Sequence, residues 1–113
     1  MDFGLPKVTM EQIRTCFSKY TDIEWVKIYG SRALGTHHPG SDVDLAFAGA
    51  TDYIAQIASC LDEMPTPYLF DVTYYNDLQN ENLKNHIDWV GKILFTQKDL
   101  KNGQSEGLSI DDS

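Results

Sequence analysis

The stretch "YGSRALGTHHPGSDVDLAF", Tyr29 to Phe47, decides how this chain is read. Gly30 and Ser31 close an apolar strand-like run, "EWVKIYG", and open a short helical one, "SRALG". A polar loop, "THHPGS", leads into "DVDLAF", which alternates as a strand does. Asp42, Asp44 and Ala46 fall on one face, and Val43, Leu45 and Phe47 on the other.

The turn has the chemistry of an anion cradle. Backbone N–H groups at a helix start lack partners and favour negative charge. Glycine lets that backbone come close to a phosphate. The Ser31 hydroxyl and the Arg32 guanidinium add donors. Taken alone, such a turn is more often a tight strand-to-helix connection with Ser31 as its cap. It lacks the lysine of a P-loop and the glycine spacing of a dinucleotide fingerprint.

Asp42 and Asp44 raise the stakes. Two like charges on one strand face repel, and burying either is expensive. A cation or free access to water must offset that cost. An all-oxygen donor set suits a hard ion, Mg²⁺ above all. An exposed face with two solvated aspartates is the bland alternative. Ten residues separate Ser31 from Asp42, so neighbouring strands would bring cradle and carboxylates to one end of a sheet. Asp71 adds a third carboxylate, set inside the otherwise apolar "YLFDVTYY". Burial of a lone aspartate there would need explaining, and convergence on Asp42 and Asp44 explains it. Three carboxylates suit two-metal phosphoryl or nucleotidyl transfer.

The rest of the chain fits a small domain around this site. "TMEQIRTCFSKY" reads as a helix with Thr9 and Gln12 as a capping box. "TDYIAQIASCLDEM" is a second helix, stopped by Pro65. "LQNENLKNHIDWV" is a third, with Leu83, Ile87 and Val90 inward and Gly91 at its end, and "KILF" adds a strand. The expected class is α/β (α+β): a small mixed β-sheet with flanking helices. The first two strands are expected to be antiparallel, or joined through one helical turn. Residues 1–97 form the expected domain. Residues 98–113 carry few large apolar side chains and are expected to be a disordered tail.

With 113 residues, the expectation is one domain and no second one. The formal charge of −8 argues against direct binding to nucleic acid, since no basic stripe exists to neutralise phosphates. No apolar run reaches membrane-spanning length and no signal peptide is visible, so a cytoplasmic protein is expected. Cys16 and Cys60 are then expected as reduced core thiols. His37 and His38 are expected to be solvated in their loop, His86 to be a helix-face residue, and Trp89 and Tyr74 to pack in the core.

"GSRALGTHHPGSDVDLAF" resembles the signature of the polymerase-beta-type nucleotidyltransferase superfamily: Gly-Ser, ten residues, Asp-x-Asp. The four fixed residues would arise by chance in roughly one chain in a thousand of this length. The resemblance is strongest to the minimal nucleotidyltransferases (MNT), commonly paired with a helical HEPN-type partner as toxin and antitoxin, and it runs from Thr9 to Phe95. It implies that Gly30 and Ser31 hold a nucleoside triphosphate, with Arg32 at a phosphate. It implies that Asp42, Asp44 and Asp71 bind two Mg²⁺ ions and act in catalysis, Asp71 as general base. The implied reaction moves a nucleoside monophosphate, AMP from ATP first, to a hydroxyl, with a tyrosine of the HEPN-type toxin as acceptor. The alternative is an antitoxin or nucleotide-sensing subunit that neutralises its partner by stoichiometric binding.

Overall fold

The computed structural model describes residues 3–101 of the chain. The apolar alternation on both sides of the Gly30–Ser31 turn becomes two strands, β1 (Ile23–Tyr29) and β2 (Val43–Gly49). Between them the chain makes a single helical turn, α2 (Ser31–Leu34), and the loop that leads to Asp42. This connection is too short for a parallel crossover, and β1 and β2 pair antiparallel, Tyr29 opposite Asp44. From β2 the chain crosses through α3 (Ile54–Asp62) to β3 (Phe70–Tyr74), which lies parallel to β2. A 3-10 turn (Tyr75–Asp77) and α4 (Glu81–Val90) lead to β4 (Lys92–Thr96), antiparallel to β1. The four-stranded sheet runs β3-β2-β1-β4 and is mixed, as expected.

Each face of the sheet has its own cover. Val26 and Ile28 of β1 and Val43, Leu45 and Phe47 of β2 point to one side. There they meet Ile13, Cys16 and Phe17 of α1 (Lys7–Ser18) and Ile57 and Leu61 of α3. On the opposite face Tyr29 and Ala46 bury Ile87 of α4, with Trp25, Tyr75, Leu78 and Leu83 packed around them. Asn80 caps α4 by accepting the Leu83 N–H at 3.1 Å. Asp44 lies on this second face, under α4, by the alternation of β2.

Several expectations are corrected. The first helix starts at Lys7 rather than Thr9, after Pro6, and Thr9 is buried inside it instead of capping it. The pre-set φ of Pro6 and the burial of Phe3 and Leu5 anchor that start. The tail does not begin at Lys98. Residues 97–101 are helical, and Leu100 is only 3% exposed, packed in the core beside Phe95. Residues 102–113 of the expected tail lie outside the described residues. Cys16 and Cys60 are not free thiols but form a disulfide that joins α1 to α3. Trp89 is 85% exposed, whereas Tyr74 is buried and donates to the Gly49 carbonyl at 2.6 Å. Two residues after Ile87, Trp89 sits about 200° around α4 and so points away from the sheet. His37 is half-buried with its Nδ1 buried and unbonded, while His38 is exposed as expected.

Candidate active site

Gly30 is where β1 ends and α2 begins, with φ 74° and ψ −154°. That conformation is open to glycine and costly for other residues. A second reason for glycine is space: a Cβ at this position would collide with the carboxylate of Asp44. The turn backbone and the Asp44 side chain are therefore in direct apposition, as the motif reading requires. The Gly30 carbonyl accepts the Leu34 N–H at 3.1 Å, and its N–H donates to His86 Nε2 at 3.1 Å. Ser31 is half-buried at the first position of α2.

The carboxylates meet through strand register. Asp44 of β2 stands directly opposite Asp71 of β3 in the parallel pair, so both project to the α4 face. Asp42 is exposed, one residue before β2 begins. Burial pushes the Asp44 carboxyl above its ordinary value, and the charges of Asp71 and then Asp42 push it the same way. Asp44 thus sits between two like charges, a position that favours a cation. Among the described residues no three His, Cys, Asp or Glu side chains are gathered closely enough to hold a metal ion. The donor set and its order along the strands fit a hard divalent ion, with the side chains still spread apart.

Asp71 departs from its expected setting. It is exposed, because β3 is an edge strand of the sheet. Its apolar strand neighbours face the other way. Behind it, Thr73 and the buried Tyr29 share a hydrogen bond of 3.0 Å. Burial, more than any neighbour, raises the Tyr29 phenol above its ordinary value, and Asp71 and Asp44 add to the rise.

Arg32 does not face a phosphate. It is 2% exposed, and its guanidinium is spent on backbone carbonyls. Nη1 donates to Phe3 O at 2.9 Å, Nη2 to Ser41 O at 2.9 Å and Pro39 O at 3.3 Å, and Nε to Ser41 O at 3.3 Å. The guanidinium carbon also lies 5.2 Å from the centre of the Tyr68 ring. A basic residue after Gly-Ser reads as a phosphate ligand, but here it fastens the loop that delivers Asp42. His86 is the residue that the sequence reading missed. Nothing in a histidine on a helix face signals that it reaches a glycine 56 positions away.

A family model for "Polymerase beta, Nucleotidyltransferase" matches residues 11–100. The chain belongs to that nucleotidyltransferase family. No curated protein matches the chain. Three solved structures show the same fold. A toxin–antitoxin crystal structure with AMP-PNP superposes with a TM-score of 0.61 at 19% identity, covering 90% of this chain and 96% of that one. An MntA-HepT toxin–antitoxin crystal structure gives 0.55 at 18% identity, over 94% and 97%. A tri-AMPylated Shewanella oneidensis HEPN toxin in complex with MNT antitoxin gives 0.55 at 20% identity, over 94% and 95%. Within this family the Gly30–Ser31 turn and the Asp42, Asp44 and Asp71 positions are the candidate site. Among the described residues no helix is long and apolar enough to cross a membrane.

Proposed function

We propose that this nucleotidyltransferase is of the minimal type and moves AMP from ATP to a hydroxyl, a tyrosine of a HEPN-type toxin, with pyrophosphate as the leaving group, and that it serves as that toxin's antitoxin in the cytoplasm. The observation that carries this reading is the apposition of the Gly30 backbone, Asp44 and Asp71 at one end of the sheet. The AMP-PNP and the AMPylated HEPN toxin of the structural neighbours support the choice of nucleotide and partner.

Asp42, Asp44 and Asp71 would hold Mg²⁺, two ions in this reading. Bound there, such an ion would supply charge neutralisation for the triphosphate and would lower the pKa of the attacking hydroxyl. Ser31 orients the phosphates through its backbone N–H and its hydroxyl, and Gly30, having no side chain, lets the turn come close to them. Asp71 takes the proton of the acceptor hydroxyl. Its exposure on an edge strand suits that role, because an acceptor carried by another protein must reach it from outside. A tyrosine phenol, with an ordinary pKa near 10, needs only a modest shift to be deprotonated. The added nucleotide would bring bulk and negative charge to the toxin.

One observation favours the other reading, neutralisation by stoichiometric binding: the carboxylates are not drawn together as a ligand set among the described residues. Intact-mass spectrometry separates the two. The partner is incubated with the chain, ATP and Mg²⁺. A mass gain of AMP on the partner, lost with Asp71→Asn, is the expected result. A partner that is bound and inactive but unmodified would establish masking instead.

A further inference from the structure

His86 sits outside the motif and yet holds its first residue. The Gly30 N–H donates to His86 Nε2 at 3.1 Å, across a separation of 56 residues. The histidine is itself well placed. Its ring packs edge-on against Tyr29, with centroids 5.9 Å apart and planes at 78°. The next residue, Ile87, is fully buried against Tyr29 and Ala46, which docks α4 on the sheet. Tyr29 is in turn bonded to Thr73, two residues along β3 from Asp71. One connected set of contacts thus runs from α4 through both central strands to the edge strand.

We infer that His86 is a positioning residue of the nucleotide site: its Nε2 holds the Gly30 amide so that the turn backbone stays seated against Asp44. Gly30 carries no side chain that could fix the turn, and glycine has a wide range of backbone alternatives to the φ of 74° it adopts here. Its carbonyl is already held by the Leu34 N–H, so the His86 contact fixes the other half of the residue. The surface so fixed is the one that abuts the Asp44 carboxylate. His86 therefore acts through Gly30 and touches no reacting atom. The inference rests on the nucleotidyltransferase reading for its ligand, but the contact itself can be tested without one.

The test compares wild type, His86→Ala and His86→Gln as full chains. Glutamine is chosen because its Oε1 can reach the same N–H that Nε2 accepts. Mg²⁺–AMP-PNP binding is measured by calorimetry, and Gly30 amide exchange by NMR. His86→Ala is expected to weaken Mg²⁺–AMP-PNP binding about tenfold, the loss of one hydrogen bond. It is also expected to expose the Gly30 amide to exchange while the circular dichroism stays native. His86→Gln is expected to restore both to within about threefold of wild type. Wild-type affinity in His86→Ala, tighter binding there, or no rescue by glutamine in a folded chain would each overturn the inference. Tighter binding would mean that His86 competes with a phosphate for Gly30. A wild type that binds no Mg²⁺–AMP-PNP would bring down the parent reading, and the Gly30 exchange rates would still decide whether His86 holds the turn.

Discussion

Asp44→Asn is expected to reduce nucleotidyl transfer by about a thousandfold or more, because it removes the central carboxylate of a charge-stabilising site. The same change is expected to leave the fold intact and to raise the Tm at neutral pH. Burial, first, and then the charges of Asp71 and Asp42 hold the Asp44 carboxyl above its ordinary value, so its charged form destabilises the native chain. The sign follows from linkage. Below the ordinary carboxylate value, near pH 4, Asp44 is protonated in folded and unfolded chains alike and contributes no penalty. As pH rises from there through the raised folded value, the unfolded chain loses its proton first and stability falls. Asparagine escapes that loss. The Tm difference between variant and wild type should therefore be present at pH 7 and shrink towards zero below about pH 4. Transfer at the wild-type rate, measured with labelled ATP and Mg²⁺, would remove Asp44 from the catalytic site. A Tm gain that persists unchanged in acid would show that like-charge repulsion and burial of charge are not its source.

Reduction of the Cys16–Cys60 bond is expected to be the largest stability effect. The bond closes a loop of 44 residues between α1 and α3. Constraining a loop of that length in the unfolded chain contributes about 4 kcal/mol on the chain-entropy account. For a domain of this size that corresponds to a Tm loss of roughly 15 °C. Thermal unfolding with and without dithiothreitol measures it, and a Cys16→Ser, Cys60→Ser double variant should melt with the reduced wild type. A reducing cytoplasm favours the thiol form, and the oxidised chain is the one to which this expectation applies. Identical melting in both conditions would show that the two cysteines are not bonded in solution.

Much of the placement of the candidate residues was legible because it follows local pattern. The alternation of "DVDLAF" placed Asp44 and Ala46 on one face, and the structure lays that face under α4. The ten-residue spacing between Ser31 and Asp42 matched a hairpin with one helical turn, which is what joins β1 to β2. What failed was set by neighbours distant in sequence. Asp71 looked buried because its strand is apolar, but alternation does not reveal which strand is an edge. Arg32 looked free because nothing in "GSR" announces that Phe3 and Ser41 will close over it. Leu100 looked like part of a polar tail because a single leucine has no period to detect, and only the packed structure shows it in the core. The cysteines carry no cue to their pairing: the packing of α1 on α3 creates it.

The central claim is that the Gly30–Ser31 turn and Asp42, Asp44 and Asp71 form one site for a metal–nucleotide complex. Paramagnetic broadening tests it most directly. Mn²⁺ in place of Mg²⁺, added with AMP-PNP to the ¹⁵N-labelled chain, broadens the amides nearest the ion. The account expects Gly30, Ser31, Asp42, Asp44 and Asp71 to lose their signals first and together, while residues around Cys16 and Cys60 keep theirs. Broadening centred elsewhere, or none that depends on AMP-PNP, would contradict it.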